Sequence, residues 1–392
     1  MNKIMMKISV VTVLIMLALS AAFCKEMTIA RDKTALRDGP ANYYDPIVYL
    51  SKGTVVNFLN ESDEDAGWLF VEYNGRQGYI SSIALKEIKK QKSNDPFASL
   101  DFDSAFGGKS QSKKSKNEMA PAAYTAAIKG FAVNYAAKIG SNNLDINDLI
   151  NLTRFDKKDV RKVRKETKLA YFPKKGELIG DPKDSISANL EAVGLAASLS
   201  VLRNGVVYDS ALTKKANVIA NIISRQTIDY DKMYYVFIIP DSEPVAYSGP
   251  GGYIFLSDTM MKYLTDYREL VAVIAHEVGH IALRHGVKDM ALDNARKNMD
   301  DAFGEIDEML SEDDKMLSDD LQDVIDEFVD KIGLVHDDKE EYEADEVAIE
   351  LLRRYKIDKK YMRSTLEKIY AALGSTYPEY KEQFRRRMLR IK

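Results

Sequence analysis

The spacing of apolar residues divides the chain into stretches of different period. Between residues 27 and 88 they come in short runs that alternate weakly, as in "GTVVNFL" at 53–59. In "GWLFVEYNGRQGYI" two such runs flank Asn74-Gly75, a strong two-residue hairpin signal. This pattern predicts a small all-β barrel of about 60 residues with aromatic side chains at strand positions. Residues 89–120 lose the pattern. They are rich in lysine, serine and glycine, contain Asp95-Pro96 and Gly107-Gly108, and read as a flexible linker interrupted by Phe97, Leu100, Phe102 and Phe106.

From Pro121 onward the period is helical. An alanine- and leucine-rich helix is predicted over 186–203, closed by Asn204-Gly205, and a second over 210–224. Three short extended pieces follow at 233–239, 245–248 and 251–257, and helices resume at Asp258. Strands confined to one patch among helices predict an α+β domain. An acidic stretch at 300–330 carries apolar residues at helical spacing and reads as a helical hairpin with a solvated outer face.

Composition changes this picture little. A chain of 392 residues accommodates two or three domains, and a net charge of -4 argues against a general nucleic-acid binder. The N-terminus adds more. Lys3 and Lys7 precede an apolar run from Ile8 to Ala22, which is short for a membrane span and suited to a signal-peptide core. Ser20 and Ala22 have the spacing a signal peptidase prefers, so cleavage near Ala22 or Cys24 and export to the periplasm or cell envelope are expected. The alternatives are an uncleaved N-terminal anchor or acylation at Cys24, which the bulky Phe23 opposes. Cys24 is the single cysteine, so no internal disulfide can form. The expected organisation is a signal peptide (1–24), a β unit (25–88), a linker (89–120) and an α+β domain (121–392). No later segment is long and apolar enough to span a bilayer, so contact with a membrane is expected only through the N-terminal segment.

The chemistry is concentrated in "IAHEVGHIALRH", 274–285. Asp266 and Glu269 have the spacing of a capping box, and the helix they open is predicted to run to about His285, with Gly286 just past its end. His276 and His280, four apart, stand on one face about a turn from each other, where two imidazoles can reach one zinc ion. Glu277, one position round, can reach a water on that ion and act as general base. The chain has only four histidines, so a chance match is rare, and two buried histidines without a partner on so apolar a helix would be costly.

A third ligand is needed. The metzincin pattern is excluded, because Leu283 and Gly286 stand where it needs glycine and histidine. His285 is read as a helix-end residue that turns away from the metal face, and His336 is possible but sits in a loop-like stretch. In "EEYEADEVAIELL", 340–352, Glu341 falls inside the apolar stripe of the helix, Asp345 at its edge and Glu343 well outside. Glu341 is therefore assigned as third ligand to one Zn²⁺ per chain. Asp345, one turn on, can orient a metal ligand by accepting a hydrogen bond from it. The adjacent Arg385, Arg386 and Arg387 could bind a carboxylate, but are read in preference as a solvated basic helix.

Two resemblances follow from these residues. The segment with Leu36-Arg37-Asp38-Gly39-Pro40, Lys52-Gly53-Thr54, Gly67-Trp68 and Gly78-Tyr79-Ile80 resembles bacterial SH3-like domains, which implies binding of peptide or cell-wall material. "GPGGYIFLSDTMM", "ELVAVIAHEVGHIALRH" and "EYEADEVAIELL" are similar, in that order, to the HtpX/BepA-like zinc metallopeptidases of metallopeptidase family 48. That resemblance implies a gluzincin endopeptidase with a protein or peptide substrate. It also implies an edge strand at Val245, Ala246 and Tyr247 on which a substrate pairs by its backbone; the family often has Asn-Ala-Phe there. The family's late Ser-Thr-His-Pro reads Ser375-Thr376-Tyr377-Pro378 here, so Tyr377 is placed to donate a phenolic hydrogen bond where a histidine would stand. The function expected is an exported zinc endopeptidase acting on envelope or misfolded proteins. The competing reading is an SH3-like, chaperone-like binding protein with minor or latent proteolysis.

Overall fold

The computed structural model describes residues 25–62, 67–87, 118–122, 145–170, 176–181, 186, 188–285, 337–373 and 378–391. The N-terminal segment with Cys24, almost all of 89–120, the acidic stretch 300–330, His336 and Tyr377 lie outside the described residues. The chain divides into two compact units, residues 1–124 and 125–392, each described by itself.

The first unit is an antiparallel sheet. Its strands are β1 (Lys25–Ile29), β2 (Thr34–Arg37), β3 (Pro46–Leu50), β4 (Val55–Glu61), β5 (Trp68–Tyr73), β6 (Arg76–Ser81), β7 (Leu85–Glu87) and β8 (Glu118–Met119). They run in the order β7-β1-β4-β5-β6-β2-β3-β8. Asn74 and Gly75 both have positive φ, 50° and 77°, as a two-residue type I′ turn requires, and they join β5 to β6. Alternate residues of the strands, among them Leu36, Val48, Val56, Val71 and Ile80, fill one apolar core. The end of the stretch expected to be linker contributes β8. Its backbone pairs with β3 at Tyr49 and Leu50, and Glu118 meets Arg76 at 3.4 Å.

The second unit is α+β. Its helices are α1 (Ile146–Thr153), α2 (Lys157–Thr167), α3 (Ala188–Leu202), α4 (Ser210–Ile223), α5 (Asp258–Tyr263), α6 (Tyr267–Leu283), α7 (Asp338–Arg354), α8 (Lys360–Leu373) and α9 (Pro378–Arg390). Among the described residues its sheet has three strands: β9 (Tyr235–Ile239), β10 (Ala246–Gly249) and β11 (Tyr253–Ser257). The order is β10-β11-β9, with β11 parallel to β9 and antiparallel to β10. Leu195, Leu199 and Leu202 of α3 and Ile146 and Leu149 of α1 pack with Phe237, Tyr253 and Phe255 of the sheet.

The two edges of this sheet are finished differently. Beyond β9 lies α4, which presents two buried asparagines one turn apart. The Asn217 amide donates to Val236 O at 2.7 Å and its oxygen accepts from Val236 N at 2.9 Å. Asn221 does the same for Tyr234, at 2.7 and 3.0 Å. Residues 234 and 236 share one side of an extended chain, so two side chains of a helix replace the missing strand. At the other edge, no described strand lies beyond β10, which packs beside α6. No helix among the described residues is long and apolar enough to cross a membrane.

Candidate metal centre

Helix α6 opens as its sequence predicts. The Asp266 carboxylate accepts from Arg268 N, and Glu269 accepts from Asp266 N at 3.1 Å, completing the capping box. Glu269 also binds Lys368 and Ser364 of α8, which ties the start of α6 to its neighbour. From Leu270 to Ala282 every residue of α6 is buried. A helix apolar all round lies in the interior, and here it takes His276, Glu277 and His280 with it.

Gly279, between the two histidines, allows α7 to come close. A Cβ at this position would lie 3.1 Å from Ala344 O and 3.3 Å from Ala344 Cα. With the helices this near, one turn of α7 faces one turn of α6. Glu341 and Asp345 point inward, and Glu343 stays at the rim.

The donor atoms converge. His276 Nε2 and His280 Nε2 are 3.0 Å apart, and the Glu341 oxygens lie 3.4 Å from the first and 3.5 Å from the second. Two ligands about 2.05 Å from one ion at a tetrahedral angle are separated by about 3.3 Å. The three side chains are therefore positioned to bind a single metal ion. The charges agree with this. Glu277, Glu341 and Asp345 are buried with Arg387, so with both histidines neutral, as metal ligands must be, three carboxylates face one guanidinium, an excess of two negative charges that a divalent cation balances.

The groups behind the ligands differ. His276 Nδ1 meets Asp345 Oδ1 at 2.9 Å. Asp345 is gripped by Arg387 through both oxygens, Nε to Oδ2 at 2.9 Å and Nη2 to Oδ1 at 2.8 Å, the planar fork that strengthens such pairs. Arg387 Nη1 also reaches Glu341 Oε2 at 2.5 Å. Burial and the nearby Arg387 charge push the His276 pKa down, but hydrogen bonds to Asp345 and Glu341 more than reverse this and hold it up at about 9. Burial alone would raise the carboxylates; Arg387 and His276 hold Glu341 well below its usual range and Asp345 below its own. Without metal the cluster is thus an ion-pair network, and a metal ion must displace a proton from it.

One expectation is corrected here and one is sharpened. Arg385 and Arg386 are solvent-facing and pair with Glu382, but Arg387 is buried in the cluster. Three consecutive residues of a helix point 100° apart, so only one of them could turn inward, and the packing of α9 on α7 selects Arg387. His285 is not among the converging donors, as expected, but it stands behind His280: its Nδ1 lies 2.9 Å from His280 Nδ1, and its Nε2 3.2 Å from Glu343 Oε2. Helical phase did not show this contact because α6 ends before His285, at a left-handed residue.

The residues expected to form an edge strand do so. Ala246 and Tyr247 lie in β10, paired with Leu256 and Phe255 of β11, and Val245 just precedes the strand, with its carbonyl accepting from Ser257 N at 2.9 Å. The Tyr247 ring rests on Phe255, and burial pushes its pKa up to about 12, so it stays a neutral phenol.

Two inward histidines and a glutamate on paired helices, with a carboxylate behind, make a site that could hold one metal ion. Residues 213–387, a little under half of the chain, match Peptidase family M48. The beta-barrel assembly-enhancing protease of Yersinia pestis is 25% identical over 85 residues, which are 22% of this chain and 18% of that protein. The chain therefore matches under a fifth of that relative's length.

Proposed function

We propose that the chain is an exported zinc-dependent endopeptidase that cleaves envelope or misfolded proteins. The observation that carries this reading is the convergence of His276, His280 and Glu341 at spacings that suit one tetrahedral ion, with Glu277 on the same buried turn. Bound zinc supplies Lewis-acid activation of a water and of the scissile carbonyl. Glu277 takes the water's proton on its carboxylate and returns it to the leaving amine. Asp345 holds the His276 ring through Nδ1. The backbone of β10 offers its outer N–H and C=O groups to an extended peptide, as β-augmentation does elsewhere, and the asparagine-covered β9 edge leaves β10 as the favoured side.

The Glu277→Gln variant tests this directly. Casein cleavage should fall about 10²–10⁴-fold while zinc stays bound; unchanged cleavage would sink the mechanism. Export and an envelope location rest on the N-terminal Lys3–Ala22 segment. For the N-terminal sheet unit we propose a recruiting role, with peptide or cell-wall material as its ligand. Its support is a self-contained core separate from the peptidase unit.

A further inference from the structure

The site's geometry points to a second support that no reading of the motif includes: we infer that His285 and Glu343 form a relay that fixes the tautomer and orientation of His280, making His285 a positioning residue of the metal centre. This rests on the metal-centre reading above.

The argument begins with how His285 arrives. Helix α6 closes in a Schellman arrangement. Arg284 N donates to Ile281 O at 3.2 Å and His285 N to His280 O at 3.0 Å. The motif brings the second residue past the helix back over the residue five earlier, which is His280. Its pivot, Arg284, has φ 60° and ψ 34°, a conformation usually left to glycine. A non-glycine residue there is strained by about 1–2 kcal/mol and persists where its surroundings hold it. Here they do. Arg284 Nη2 meets both oxygens of Asp229, at 3.0 and 2.8 Å. Asp229 is fully buried and also accepts from Ile186 N at 2.8 Å. A buried ion pair thus clamps the turn whose consequence is to deliver His285.

The ring contacts then leave one proton arrangement. His280 turns Nε2 toward His276 and Glu341, so that nitrogen keeps its lone pair for a metal and the proton sits on Nδ1. With that tautomer, His280 Nδ1–H is the donor to His285 Nδ1, and His285 Nε2–H in turn the donor to Glu343, across contacts of 2.9 and 3.2 Å. The rings meet edge to face, 4.9 Å between centroids. Partners of this kind raise ligand basicity and hold ring angle, and their loss typically costs 10–100-fold in metal affinity.

The test compares His285→Phe, which keeps the ring but no nitrogen, with His285→Gln, which keeps a donor and an acceptor. Zinc affinity of the full chain is measured by chelator competition, and the Co²⁺ absorption spectrum reports ligand geometry. His285→Phe should lower affinity about 10–100-fold and shift the Co²⁺ bands, with the metal-free melting temperature unchanged. His285→Gln should recover part of both. Affinity and spectrum of His285→Phe equal to wild type would overturn the inference. So would equal losses in Phe and Gln variants, which would mean a packing role only. His276→Ala separates the two readings. If wild type itself binds no more zinc than His276→Ala, the metal centre fails and the relay with it. If wild type binds and His276→Ala does not, the His285 result judges the relay alone.

Discussion

The two histidines of the metal centre stand on one helix, a turn apart, yet are held in opposite ways. Behind His276 is Asp345, buried and gripped at both oxygens by Arg387. Behind His280 is His285, and behind that Glu343, whose side chain is 44% exposed. The first support is an ion-pair network in the interior, where breaking one partner leaves an uncompensated charge. The second is a ring whose chain of contacts ends in solvent, where the last link is weak. The difference teaches that one site can separate two needs. The His276 side joins metal binding to folding, and the His280 side adjusts the ligand with little consequence for stability.

The sharpest way to break this comparison is Arg387→Met. It leaves Glu341 and Asp345 buried without their cation, so the metal-free protein should lose about 3–5 kcal/mol in urea unfolding. Zinc should restore more of that stability than it adds to wild type, since the ion replaces the missing charge. A loss below about 1 kcal/mol would show that the network carries no stability. Asp345→Asn keeps the shape but weakens the acceptor on His276. Zinc affinity should fall about 10–100-fold by chelator competition, and a change under twofold would contradict the assigned role. Glu343→Gln should do least. An exposed terminal acceptor is worth about 0–1 kcal/mol, so affinity should change under about fivefold and the melting temperature not at all. An effect as large as that of Asp345→Asn would erase the contrast between the two sides.

Much of this was legible before any coordinates. The four-residue spacing placed His276 and His280 on one face, and the phase of α7 turned Glu341 and Asp345 inward and Glu343 outward. The hairpin at Asn74-Gly75 was written in its own turn residues, since both must take positive φ. What sequence hid were contacts made by chain reversal or by distant packing. His285 was extrapolated along a helix that stops at Arg284, and an arginine in a left-handed cap carries no glycine-like signal. Arg387 sits among three arginines, and nothing local says which meets α7. One hint was available: an inward Glu341 and Asp345 one turn apart call for a buried cation as well as a metal. Asn217 and Asn221 were hidden likewise, because their partners are backbone groups of β9.

The central claim is that His276, His280 and Glu341 together hold one metal ion that peptide hydrolysis requires. Metal content and peptidase activity of the purified chain, measured side by side for wild type and Glu341→Ala, test it most directly. The account predicts about one zinc per wild-type chain with activity, and loss of both in the variant. A variant that retains one zinc per chain and cleaves casein at the wild-type rate would contradict it.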